Sequence, residues 1–211
     1  MQGRYDHLHL RWNPFGEATP EERADLAHVN VDSFCRFLNP NSALELRADH
    51  GRGKSTTLLA LRKKLAPQAP HIRGSQHCKK TLPVAPWVFL DEVQYFSLRQ
   101  LWYFARQMKK QNGIVVYSTH QNRRWLFKLA GMQVQKHRIN YAQPTNLLAL
   151  FNKRIEWAKN QEGNPPQIDA QDIKRLSELF GNDIRSMESH LYDCINQLKH
   201  SQQPITSRIK P

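Results

Sequence analysis

Cysteine is scarce in this sequence: three residues in 211, at Cys35, Cys78 and Cys194. A set so sparse and odd in number argues against a disulfide framework and for a reducing, cytoplasmic setting. His77-Cys78 is followed by no second Cys/His pair at ligand spacing, so a metal cluster is not expected. No apolar run approaches the ~20 residues needed to span a bilayer. The opening MQGRYDHLHLRWNPF is charged and broken by Pro14, unlike a secretory leader, so neither a membrane protein nor an exported one is expected. Acidic residues are also few, 18 against 31 Lys and Arg, for a formal net charge of +13. That imbalance favours a polyanionic partner, nucleic acid or an acidic protein. No helix-turn-helix or zinc-finger pattern accompanies the charge. DNA, if bound, is therefore expected to be held by its backbone, with Arg62, Lys63 and Lys64 as one surface to test.

What is present is a chain with 39% hydrophobic residues, enough for a packed core of one domain or one domain with an appendage. Thr19-Pro20-Glu21-Glu22 reads as a helix start, with a cap, proline at the first position and acids in the first turn, and the helix is expected to run to about Leu38. Ser42 to Ala48 alternates as a strand. A helix is expected from about Gly53 to Leu65, where Pro67 ends it. Trp87–Glu92 and Ile114–His120 are apolar runs ending in polar groups, as buried parallel strands do. A helix lies between them over LRQLWYFARQMKK, and a shorter one follows from about Asn122 to Ala130. Between Pro70 and Pro86 there is room for a short strand at Ile72 but not for a further full helix. After Pro144 the pattern is helical throughout. The expected fold is α/β: a parallel sheet sandwiched by helices, followed by a small helical lid. The expected divisions are an N-terminal segment packing on the core (1–41), the core (42–142), the lid (143–199) and a polar tail (200–211).

Four places carry chemistry. Ala48 to Ser55, ADHGRGKS, matches the phosphate-loop pattern except that Ala48 stands for its first glycine. Gly51 and Gly53 allow backbone N–H groups to turn inward on phosphates. Lys54 supplies an ammonium for the β- and γ-phosphates, Ser55 a hydroxyl for Mg²⁺, and the following helix its dipole. A strand before the loop and a helix after it are the context this motif requires. Asp91 and Glu92 end the strand WVFLDE, where the aspartate can hold Mg²⁺ and the glutamate can deprotonate an attacking water. Ser118, Thr119 and His120 end the next strand, at the edge where parallel sheets bind ligands, and the sequence does not choose among them as γ-phosphate contacts. Arg185 lies near the start of the last helix, where a cation opposes the macrodipole unless an anion meets it.

The order of these parts resembles the AAA+ ATPase family. ADHGRGKST is similar to Walker A, WVFLDE to Walker B, VVYSTH to the sensor-1 strand, and GNDIRSMESHLYD to a sensor-2 segment of a helical lid. The resemblance spans about Trp12 to Lys199. It implies ATP and Mg²⁺ as ligands and ATP hydrolysis as the activity. It implies that Asp49, His50, Gly51, Arg52, Gly53, Lys54, Ser55, Thr56 and Arg185 contact the nucleotide, and that Ser55 and Asp91 hold the metal. Glu92, Lys54, Thr119 and His120 then form the catalytic set, and Asn13 to Gly16 lies near the adenine. It also implies a homo-oligomer with an arginine finger, for which Arg123, Arg124 and Arg138 are candidates. His120 stands where the family often has asparagine. ABC-type ATPases also carry a histidine after such a strand, but no LSGGQ-like signature occurs here. Three functions fit: an ATPase acting on a macromolecular partner such as DNA or another protein, a nucleotide-holding scaffold that hydrolyses little, and a small-molecule kinase. Glu92 favours the first, and the three-helix C-terminus argues against the last.

Overall fold

The computed structural model describes residues 3–49, 51–76, 81–139, 143–160, 163–201 and 205. The chain divides into two compact units, Arg23–Ile139 and a second made of Met1–Glu22 with Asn140–Pro211. The first 22 residues thus group with the C-terminal helices, while 23–41 belong with the sheet. Helix α1 (Pro20–Leu26) crosses the division. Its start is a reciprocal cap: Thr19 N donates to Glu22 Oε2 at 2.7 Å, and Glu22 N donates to Thr19 Oγ1 at 3.3 Å.

One helix from there to Leu38 was expected. Instead α1 ends at Leu26 and a separate turn, α2 (Asp32–Cys35), follows. The break falls at His28-Val29-Asn30-Val31. Two β-branched residues lower helix propensity there, and Asn30 starts a new turn by accepting from Ser33 N at 3.3 Å.

The sheet unit holds five parallel strands: β1 (Ser42–Arg47), β2 (His71–Arg73), β3 (Trp87–Asp91), β4 (Ile114–Thr119) and β5 (Gln133–Arg138). Their spatial order is β2-β3-β4-β1-β5. β2 is the short strand allowed at Ile72, and no helix joins it to β3 among the described residues. Because side chains alternate across a strand, β1, β3 and β4 bury both faces. Ala43, Val88, Leu90, Val115 and Tyr117 face helices α4 (Leu98–Lys110) and α5 (Arg124–Leu129), whose Leu101, Phe104, Ala105, Met108, Leu126 and Phe127 complete that layer. Leu44, Leu46, Phe89 and Val116 point the other way, to the side covered by α3 (Lys54–Leu65) with its buried Leu58 and Leu61. All five strands run the same way, so the loops after β1, β3 and β4 share one edge of the sheet.

The other unit is built on α6 (Pro144–Ala158), α7 (Ala170–Phe180) and α8 (Ile184–Gln197). Phe151, Ile155, Leu176, Met187 and Leu191 form its core together with Leu8, Leu10 and Phe15 from the N-terminal stretch. Buried Arg154 ties that stretch down. It donates to Pro14 O at 2.8 Å and Gly16 O at 3.0 Å, and pairs with Glu188 at 2.7 Å. Asn13 Nδ2 adds a bond to Tyr192 O at 2.9 Å. Asn13–Gly16 is thus anchored by helices α6 and α8.

Candidate functional site

The loop after β1 turns on two glycines. Gly51 and Gly53 have φ of 72° and 81°, the left-handed region that a side chain disfavours. Ala48 is buried and is not among the positive-φ residues, so alanine at the motif's first position meets no backbone strain. Gly53 precedes the first turn of α3, a 12-residue helix with no acid in that turn to oppose an anion. Lys54 is buried, and its ammonium donates to Ala48 O at 3.0 Å and Asp49 O at 2.9 Å. Arg52 is paired with Asp49 at 3.0 Å. Ser55 and Thr56 follow in the first turn of α3, half-buried. His50, expected in the nucleotide site, and the His77-Cys78 pair lie outside the described residues.

Strand alternation sorts the polar residues at the neighbouring tips. Asp91 falls in step with Phe89, and Ser118 with Val116, so both face the α3 side. Ser118 Oγ donates to Asp91 Oδ1 and accepts from Glu92 N at 2.9 Å, fixing both acids. Thr119 falls in step with Tyr117 and so faces away. It is fully buried, donates to Gln121 O at 2.9 Å and accepts from Gln121 N at 3.0 Å. Thr119 therefore shapes the turn rather than presenting a hydroxyl to a phosphate.

Of the three polar residues ending β4, His120 is the one that joins the two motifs. Its Nδ1 is 3.4 Å from Lys54 Nζ, and its Nε2 is 3.4 Å from Glu92 Oε2. An ammonium can only donate, so Nδ1 accepts and the ring proton sits on Nε2, toward the carboxylate.

Glu92 itself has φ 58° and ψ 51°, a left-handed backbone that costs about 1 kcal/mol or more for a residue with a side chain. Two residues that sequence reasoning missed hold it there. Gln94 Nε2 donates to Glu92 Oε2, while Gln94 Oε1 accepts from His120 N at 3.4 Å and lies 3.3 Å from Thr119 Oγ1. Gly74 donates its N–H to Asp91 O at 2.8 Å, and a Cβ there would meet Glu92 O at 2.6 Å. The signal for Gln94 was only its place two residues beyond the acids. That for Gly74 was a lone glycine after a short strand.

The candidate arginines separate. Arg124 Nε lies 3.6 Å from Oε1 of Glu45, a fully buried carboxylate on β1 that also accepts from Tyr117 OH at 3.2 Å. Burial, then the nearby Glu45, raises the Tyr117 pKa well above its ordinary value, so it remains a donor. Arg123 donates to Gln121 Oε1 at 2.6 Å, and Arg138 ends β5, exposed. Arg185 belongs to the other unit, exposed in the first turn of α8, where Asp183 caps the helix and accepts from its N at 3.1 Å.

No model of a known protein family matches the chain, and no curated protein matches its sequence. Solved structures do match its shape. Domain III of the replication initiation protein DnaA from Thermotoga maritima superposes with a TM-score of 0.56 at 10% identity, over 83% of this chain and 88% of that one. RuvB from Thermotoga maritima gives 0.54 at 13% identity, over 90% and 66%. A replication initiator DnaA bound to AMPPCP and single-stranded DNA gives 0.50 at 14% identity, over 79% and 59%. The fold is that of the AAA+ P-loop ATPases, a parallel sheet flanked by helices with C-terminal helices after it.

Proposed function

We propose that this chain binds MgATP and hydrolyses it as an ATPase of AAA+ type acting on a macromolecular partner, DNA being the partner its charge favours. The observation that carries this reading is the imidazole of His120, set 3.4 Å from both the phosphate-loop lysine and the strand-tip glutamate. A basic turn before a helix has no need of a histidine that joins its lysine to a glutamate. A phosphoryl-transfer site needs both.

In this reading the N–H groups of the Gly51–Gly53 loop and the start of α3 cradle the phosphates, with Asp49, Arg52 and Thr56 around them. Phosphate oxygens compete with Ala48 O and Asp49 O for the Lys54 ammonium. The Ser55 hydroxyl and the buried Asp91 carboxylate are oxygen donors of the kind Mg²⁺ takes, and both lie on the α3 side of the sheet. Mg²⁺, when bound, neutralises charge on the β- and γ-phosphate oxygens. Glu92 takes the proton of the attacking water. His120 orients the carboxylate and reports on the γ-phosphate through Lys54. No described helix is long and apolar enough to cross a membrane, and a cytoplasmic setting follows from the cysteine usage.

The test is the ATP turnover rate of the isolated protein with and without DNA. Zero turnover with tight ATP binding turns the reading to a nucleotide-holding module. That second reading has one observation in its favour: the Glu92 carboxylate is engaged by its own chain, through Gln94 and His120.

Gln94 acts here as a positioning residue. Gln94→Ala should lower kcat about ten- to a hundred-fold by freeing the carboxylate, with KM for ATP unchanged. Steady-state kinetics separates the two constants, and a rise in KM at constant kcat would assign Gln94 to binding.

A homo-oligomer with nucleotide at its joints completes the proposal. Arg124 is tied to Glu45, which leaves Arg123 and Arg138 to act on a neighbour's phosphate. Specific activity should therefore rise with protein concentration as the mass moves from monomer to oligomer. Flat activity across a dilution series, with a monomer mass throughout, excludes a shared site.

A further inference from the structure

The +13 charge is not spread evenly, and the fold concentrates it. On α3 the expected surface is already committed within its own unit. Lys63 pairs with Asp25, Lys64 lies 3.5 Å from Asp32, and Arg62 Nε donates to Ala69 O at 2.8 Å. The opposite side of the sheet is different. From Val93 to Ile139 the sequence has nine Lys or Arg and no Asp or Glu.

These residues build α4, α5 and the edge strand β5, and the first two elements lie on the same face. On α4 the outward stripe is Arg99, Tyr103, Arg106 and Lys110, at spacings of one, two and three turns. On α5 it is Trp125, Lys128 and Leu129. Strand β5 joins them: Val134 packs into the α4–α5 layer, so Lys136 and Arg138 in step with it project to that side. The helices meet at their C-terminal ends, where the Lys109 stem passes within 3.7 Å of a Cβ at Gly131.

The aromatics on this surface are open. Tyr103 is 63% exposed and Trp125 47%, with Leu129 at 69%. A cation stripe alone suits any polyanion. Flat rings set among the cations suit one whose bases are free to stack, because a duplex keeps its base faces hidden.

We infer that the α4–α5–β5 face is a binding surface for single-stranded nucleic acid, its phosphates on the Arg and Lys side chains and its bases on Tyr103 and Trp125. This deepens the reading that the partner is nucleic acid, and apart from Arg138, which the variants below leave unchanged, it uses none of the residues assigned to ATP.

The test is anisotropy of a labelled oligothymidylate across a salt series, with ATP binding measured on the same proteins. The triple variant Arg106→Gln/Lys109→Gln/Lys128→Gln should reduce the slope of log affinity against log salt by about 2, since each phosphate contact contributes roughly 0.7 on a single strand. Tyr103→Ala/Trp125→Ala should weaken binding about thirty-fold or more, roughly five-fold or more for each ring removed, with the slope unchanged. Lys63→Gln/Lys64→Gln on α3 should bind as the parent does. Unchanged melting temperatures establish that these exposed substitutions leave the fold intact. If the parent protein binds no oligonucleotide at low salt, the surface is not a nucleic-acid site, whatever its ATP binding. If it binds and only the α3 variant weakens, the surface is misplaced. If polyglutamate competes as well as oligothymidylate and the aromatic variant is silent, the partner is an acidic protein and the inference fails. If oligonucleotide binding follows these variants but no ATP binds, the nucleotide reading falls and this one stands.

Discussion

A Glu92→Gln chain should hold MgATP as tightly as the parent and hydrolyse it about 10²–10⁴-fold more slowly, the usual cost of losing a general base. The substitution keeps the shape, and the amide oxygen can still accept from Gln94 Nε2, so the left-handed turn at φ 58° is kept. What is lost is the capacity to take a proton. The negative charge beside His120 Nε2 goes with it, which removes the electrostatic tie at 3.4 Å. Single-turnover hydrolysis and equilibrium nucleotide binding on one preparation separate the two effects. Parent-like turnover would remove Glu92 from the mechanism. Lost binding would mean instead that the carboxylate holds the site together.

Lys54→Ala should reduce nucleotide affinity about a hundred-fold or more, taking roughly 2–5 kcal/mol for removing one partner of a buried charge pair. The loss has two sources. The ammonium no longer neutralises phosphate, and the carbonyls of Ala48 and Asp49, now held by Lys54 Nζ, are left to face an anion. Lys54→Met keeps most of the buried stem and serves as the control for packing. Both variants should lose affinity alike in calorimetric titration, with melting temperatures near the parent's. A Met variant that binds ATP normally would show that the ammonium is not a phosphate ligand.

Much of this was legible along the chain because it is local. A phosphate loop is one strand, one tight turn and one helix start. Gly51, Gly53, Lys54 and Ser55 therefore stand at their needed spacing in sequence as they do in space. The apolar runs at β3 and β4 announced buried parallel strands, and their polar ends marked the edge where the site lies. The C-terminal helices were visible from periodicity alone.

Other features depended on partners distant in sequence. That His120, rather than Thr119, meets Lys54 follows from the register of β4 against β1, since one step along a strand reverses the face. Ser118 reaches Asp91 and Glu92 for the same reason, across 27 and 26 residues of chain. Arg124 could be counted as a free cation until β1 placed the buried Glu45 beside it. The first helix broke at Asn30, although its cap and proline were read correctly, because the apolar pattern could not say whether Val29 and Val31 continue a helix or end one. By itself the sequence determined the strands, the glycine turn and the helices and their order along the chain, because backbone chemistry and periodicity act over a few residues. Tertiary structure alone decided which side chains meet at the site and which charges stay free, because pairing register and burial join residues that no local pattern connects.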